Sequence, residues 1–338
     1  MIRLHLKPIA SVDDAIKMLQ TAIGIEFGTL PPYLYALYSI PPGANAAAAS
    51  RIKSIALQEM IHMCLACNIL NALGGNPALQ QPTYPGTLPG DIGKPGQDPL
   101  TVHLLPFSEA AMQQGMNIEE PEKPIEFPVA KALPGAAAPQ AVTIGQFYHA
   151  LDDYLATLPE SAWNKGRHQI DDAQFFAGQL FAINGYADAH QAIDDIISEG
   201  EGAADSPLDF QHDIAHYYRF GECFYNKVLT KADNPKGYAW GPASLGIDWS
   251  AVYPAISDPG THDFSNDPPA AQAAQAVCNE IFSRMVDELQ LAVTGSTGRL
   301  GNAVRAMFDL RMAARVAFTT PLADASQVSG PSFLYISS

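Results

Sequence analysis

Residues 55–75, IALQEMIHMCLACNILNALGG, limit the possible folds more than any other stretch of this chain. The run is apolar on nearly every side, yet Glu59 and His62 stand in its middle, three residues apart. At helical spacing Ile55, Glu59, His62, Ala66, Ile69 and Leu73 form one stripe, and Met60, Met63 and Cys67 the next. Such a helix belongs inside a protein. A lone buried carboxylate costs several kcal/mol unless it is paired or coordinated, and Arg51 and Lys53 lie more than a turn away. A metal ion resolves the conflict, because carboxylate oxygen and imidazole nitrogen are its usual ligands.

A Glu-x-x-His pair alone says little, but the preceding helix adds Glu26. Ser11, with Asp14 three residues on, opens that helix, and Ile16, Leu19, Ile23 and Glu26 recur along it. Pro31 and Pro32 remove two backbone donors, so a kink or restart is expected just after Glu26. A carboxylate on one helix facing Glu-x-x-His on its neighbour is half of the carboxylate-bridged dinuclear pattern of four-helix bundles. The helix with Glu59 is expected from about 45 to 73, closed by Gly74-Gly75.

The second half of the pattern is sought in a second helical hairpin, with helices expected at about 173–198 and 211–230. Glu201 follows Ile193 and Ile197 on one face, and Asp213 with His216 forms a shorter-armed Asp-x-x-His. The expected metal ligands are therefore Glu26, Glu59, His62, Glu201, Asp213 and His216. Glu201 and Asp213 sit closer to their turn than Glu26 and Glu59 do to theirs, so Asp188, His190, His212 and Glu222 stand as substitutes. Asp213 serves equally well as a helix cap. Glu199 is read as solvated.

Between the hairpins, residues 76–142 are dense in Pro and Gly, with LTVHLLPF as a short strand. An insertion this long is expected to cover one end of the bundle; a linker between domains is the alternative. Thr143 caps the amphipathic TIGQFYHALDDYLATL. Two helices, about 269–293 and 298–318, close the chain, and VSGPSFLYISS returns as a strand or packs extended. The whole of 1–338 is read as one domain.

Composition narrows the partners. The 338 residues include 19 Lys and Arg against 35 Asp and Glu, a net charge of −16. That disfavours nucleic acid and anionic membrane and leaves a small-molecule substrate, with self-association open. No uninterrupted apolar run reaches the roughly 18 residues of a membrane span, and the first residues lack a signal-peptide core, so a soluble cytoplasmic protein is expected. Cys64 and Cys67 make a CxxC inside the apolar helix, read as buried thiols. Nucleophile elbows and phosphate loops are missing from the sequence, and TGSTGRLGN joins two helices instead of following a strand.

GTLPPYLYALYSI, LQEMIHMCLACNILNALGGNP, PTYPGTLPG, TIGQFYHAL, EGEG followed by HYYRF, LGIDWSAVYPAI and GPSF occur in this order. Together they resemble the ferritin-like proteins of the iminophenyl-pyruvate dimer synthase type, related to a domain of bisindole pigment biosynthesis enzymes. The resemblance runs from about residue 8 to 335. It implies a mostly α fold: a ferritin-like four-helix bundle with a long loop and short-strand insertion and additional C-terminal helices. It also implies a metal- or haem-linked oxidative role, with iron or manganese, as a dinuclear centre, ahead of haem. Glu26, Glu59, His62, Glu201 and His216 fall on the family's polar centre. Three functions follow as expectations: a metal-dependent oxidoreductase acting on an aromatic amino-acid-derived imine or keto acid, a structural or binding module without redox metal, and an iron-handling protein.

Overall fold

The computed structural model describes residues 2–337 except 123–140, 172, 177, 204, 205 and 235. Part of the Pro-rich insertion, KPIEFPVAKALPG included, thus lies outside the described residues. The protein is mostly helical. The described helices are α1 (Val12–Tyr38), α2 (Ala46–Ala72), α3 (Glu109–Ile118), α4 (Ile144–Leu155), α5 (Ala173–Phe176), α6 (Tyr186–Glu201), α7 (His216–Tyr225), α8 (Pro269–Val293) and α9 (Leu300–Ala317). Three antiparallel ribbons accompany them: Leu4–His5 with Ala141–Val142, Gly86–Thr87 with Thr101–Val102, and Leu229–Lys231 with Tyr238–Trp240.

Helix α1 begins where the sequence places it: the Ser11 side chain accepts from the Asp14 amide. It does not restart after Glu26. Pro31 and Pro32 lie inside one continuous helix, because the carbonyl freed by Pro32 finds another donor: the Tyr84 hydroxyl gives its proton to Gly28 O at 2.5 Å. The 85–90 loop also passes close to Gly28; a Cβ there would stand 2.6 Å from Leu88 Cδ2.

Helix α2 ends in a Schellman turn, with Gly75 N donating to Leu70 O and Gly74 N to Asn71 O, and Gly74 at φ +87°. By length and composition α2 could cross a membrane, yet 94% of its most apolar window is buried inside the protein. Its apolarity serves the core, where it packs against α1, α6 and α7. The buried Asn68 and Asn71 on α2 clamp the chain between the hairpins, Asn68 bonding Ile170 and Phe181 and Asn71 bonding His168, and Asn71 also bonds Val293 at the end of α8.

The second hairpin is shorter than its periodicity suggests. The helix expected over 173–198 stops at Phe176 and resumes at Tyr186, interrupted by Gly178 at φ +84°. The helix expected over 211–230 spans only His216–Tyr225. Asn226, at φ 51°, ends it and turns the chain into the Leu229–Lys231 strand. Helix α3 packs on α7 and α4 on α6, so both crowd around the central helices.

Helices α8 and α9 form a hairpin against α1 and α2. The C-terminal tail runs extended along α8. Ser332 N, Leu334 N and Ile336 N donate to Gln275 Oε1, Asn279 Oδ1 and Ser283 Oγ. These three side chains recur every four residues, so one face of α8 substitutes for a neighbouring strand.

Candidate metal centre

Glu59 and His62, one turn apart on α2, are each 2% exposed. From α1 comes Glu26, 4% exposed, and from the start of α7 comes His216, fully buried. The last residue, Glu119, caps the C-terminus of α3 inside the insertion. These five make two overlapping triads, Glu26–Glu59–His62 and Glu59–Glu119–His216, in each of which the ligand-capable atoms lie within 4.8 Å of one another. Glu59 belongs to both. The two imidazoles stack at 5.6 Å.

Each imidazole turns one nitrogen inward and gives the other to an acceptor. His62 Nε2 lies 2.9 Å from Glu199 Oε2, while Nδ1 faces Glu26 Oε2 at 3.7 Å and Glu59 Oε1 at 3.9 Å. His216 Nε2 meets Gln58 Oε1 at 3.1 Å. That amide cannot be turned round, since the same oxygen accepts from Arg219 Nη1 at 2.6 Å. The proton of a neutral His216 therefore sits on Nε2 and its Nδ1 lone pair points into the cluster. Nδ1 is buried, with Glu59 Oε1 2.9 Å away. A donor atom held inward, with its ring fixed from behind, is what a cation site requires.

The carboxylates are held as well. The Tyr148 hydroxyl on α4 donates to Glu26 Oε1 at 2.7 Å, and Tyr33 on α1 to Glu119 Oε1 at 2.5 Å. Thr29 Oγ1 stands 2.8 Å from Glu26 O and 2.9 Å from Glu59 Oε2, two acceptors for one proton. A neutral Glu59 supplies the second proton. Burial, then the charges of Glu119 and Glu26, push its carboxyl up to about 8. Burial acts on Glu26 and Glu199 too, but His62 beside them outweighs it and holds both lowered. His62 is raised well above its ordinary value: burial opposes its charge, and the carboxylates of Glu199 and Glu26 overcome that. His216 is likewise raised, by Glu119 and Glu59 against burial. Protons thus neutralise the cluster where no cation does. The donor set, carboxylate oxygen and imidazole nitrogen around a cavity of about 20 Å³, fits hard or borderline divalent ions.

The other expected residues fall elsewhere. Glu201 lines the same small cavity, but its carboxylate accepts from Gly145 N at 2.8 Å and stands outside both triads. Asp213 is exposed, in a loop organised by Asp209, whose Oδ1 takes the amides of Gln211 and Asp213. It is no cap either, since α7 starts behind Ala215. The shortening of α7 to His216 removed Asp213 from the helix face on which an Asp-x-x-His would work. Among the substitutes, Asp188 accepts from Asn184 N, His190 pairs with Asp152, His212 is exposed, and Glu222 pairs with Arg51. Glu199, read as solvated, is 5% exposed and orients His62. Glu119 was hidden in the insertion. Its signal is Ser108 followed by Ala111, Met112 and Met116 at helical spacing, with Glu119 at the end of that helix.

Beyond the His62–Glu199 pair lies a second pocket of about 190 Å³. His62 and Glu199 form its buried floor, Asp195, Phe181 and Leu65 line it, and the exposed Gln191 stands at its mouth.

The family model for ferritin-like proteins matches residues 19–225, which hold every residue of the cluster. The chain belongs to the ferritin-like family. This ferritin-like protein is 22% identical to dichlorochromopyrrolate synthase of Lentzea aerocolonigenes. The match takes in 96% of this chain but only 36% of the relative's length. Among solved structures, a ferritin-like protein from Caulobacter vibrioides matches with a TM-score of 0.65 and 24% identity. That match covers 96% of this ferritin-like chain and all of the other, and it concerns the fold.

Proposed function

We propose that this ferritin-like protein is a metal-dependent oxidoreductase with a dinuclear iron or manganese centre. Glu26 and His62 would hold one ion and Glu119 and His216 the other, with Glu59 available to both. The observation that carries this reading is Glu59, shared by two buried carboxylate–imidazole triads. Two divalent ions bring four positive charges to Glu26, Glu59, Glu119 and Glu199, which explains why four carboxylates are gathered out of water. When bound, the metal supplies redox equivalents and activates oxygen or peroxide. The chain's own residues position and insulate: Tyr33 and Tyr148 fix two carboxylates, Gln58 and Glu199 fix the two rings, and α1, α2 and α7 exclude bulk water.

The substrate is proposed as an aromatic amino-acid-derived imine or keto acid, from the relative that makes dichlorochromopyrrolate. The cavity at the cluster holds about one water, so the organic molecule belongs in the pocket of about 190 Å³, with His62 as the wall between them. Phe181 and Leu65 suit a ring, while Asp195 and Glu199 favour a protonated nitrogen over a carboxylate. The imine is therefore the better fit. The protein is proposed to work in the cytoplasm, where its four buried free thiols remain reduced.

Metal analysis of protein produced with iron and manganese tests the centre. About two ions per chain are expected. Less than about 0.2 per chain, with Glu59→Ala leaving the melting temperature unaltered, would end this reading. A structural cluster without redox metal is the second reading, favoured by the hydrogen bonds that already hold Glu26, Glu119 and His62. Chelator treatment that leaves the melting temperature unchanged selects it.

A further inference from the structure

The α8–α9 hairpin turns an apolar face outward. On α9, Phe308, Met312 and Val316 recur every four residues and are 64%, 61% and 56% exposed. Val277 on α8 is 45% exposed. The 2.7 Å ion pair between Arg284 and Asp309 fixes how the two helices lie together. As they run in opposite directions, Val277 stands at the height of Val316, and the exposed Glu280 at the height of Ala313. The same ion pair shows that the Asp309 flank of α9 faces α8. Arg315 lies about 120° round the helix from Asp309, on the far flank, and Arg311 is further round still. The face is thus an apolar stripe from Phe308 to Val316, with the exposed Arg305 one turn before it and bonded to Asn302 Oδ1, between a helix presenting Glu280 and a flank presenting the exposed Arg311 and Arg315.

We propose that a second copy of this chain docks here, in a two-fold dimer whose axis runs parallel to α9. Such a rotation keeps every residue at its own height and exchanges the flanks. Phe308, Met312 and Val316 then meet their counterparts. Glu280 of one copy comes beside Arg311 and Arg315 of the other, twice, by symmetry. A two-fold axis perpendicular to α9 sets the arginine flanks against each other and is disfavoured by like charge. The 18 residues of α9 extend about 27 Å, and two helices side by side span about 20 Å, a projected area of about 500 Å² per copy. Stable dimers bury about 800 Å² per partner, so this one is weak and forms with rising concentration. The inference does not rest on the metal reading.

Sedimentation of the full chain from about 2 to about 200 µM tests it. The wild type is expected to move from 36.2 kDa toward twice that mass. Met312→Glu, an exposed change that leaves the melting temperature in place, is expected to remain monomeric. Arg311→Glu with Arg315→Glu should weaken association at least about tenfold, and adding Glu280→Arg should restore it. A wild type monomeric throughout overturns the proposal. So does a dimer indifferent to Met312→Glu, or a triple variant no tighter than the double.

Discussion

Glu59 stores a proton that a cation would displace. Its carboxyl is raised from 4.5 to about 8 by burial and the neighbouring Glu119 and Glu26. A carboxyl raised in the folded state stabilises the metal-free fold at low pH, and that stability is lost as pH rises from about 4.5 through about 8. Raised His62 and His216 act in the same direction above their ordinary range. Cation binding releases these protons, so affinity is expected to grow by up to about tenfold per pH unit per proton displaced. The gap in melting temperature between metal-loaded and chelator-stripped protein should widen from pH 6 to pH 8; a gap that narrows contradicts the assignment. Gln58 acts one step back. Gln58→Ala removes the acceptor that fixes His216 and leaves Arg219 with one bond fewer. A loss of about 10- to 100-fold in metal affinity is expected, read by titration with Mn²⁺ or Co²⁺.

At the scale of elements, α8 makes its own prediction. Asn279 Oδ1 accepts from the Ser332 hydroxyl and from Leu334 N, where the tail lies against the helix. Asn279→Ala leaves a buried hydroxyl and a backbone amide without that partner. Denaturant unfolding should show a loss of about 1–3 kcal/mol. Equal stability would mean that the tail finds other acceptors. The elements also show what the sequence discloses. Ser11, Thr143 and Gly74-Gly75 are short-range signals whose capping bonds form within a few residues, and all three work as read. The uninterrupted α1 was not legible, because the donor that rescues its backbone, Tyr84, is brought in by a distant loop. The end of α7 at Asn226 depends on a left-handed residue that periodicity alone does not register.

For the whole molecule, the helices α1, α2, α8 and α9 could be read because they are long and amphipathic or apolar, while the second hairpin of the expected bundle is shorter than its periodicity suggests. The cluster was only half legible. Glu26, Glu59 and His62 lie on two long helices with fixed spacing, and His216 was read as well, whereas Glu119 arrives from a short helix in the insertion and Glu201 and Asp213 fall outside both triads. Glu199 differs from Glu201 by two residues on a helix, which turns the side chain to another face, and composition gives no means of choosing between them. Removal of metal from the whole protein is expected to lower its melting temperature by several degrees, because a ligand bound to the folded state alone stabilises it by mass action. Scanning calorimetry with and without chelator measures this.

The five inward side chains come from four helices strung between Glu26 and His216, with the insertion threaded among them through Glu119. A cation seated there would act as a rivet through several layers of the chain at once. Local fraying at α3 or α7 would then have to break the rivet before it could spread. The loaded protein should therefore resist proteolysis between α2 and α7 long after its surface loops have been cut.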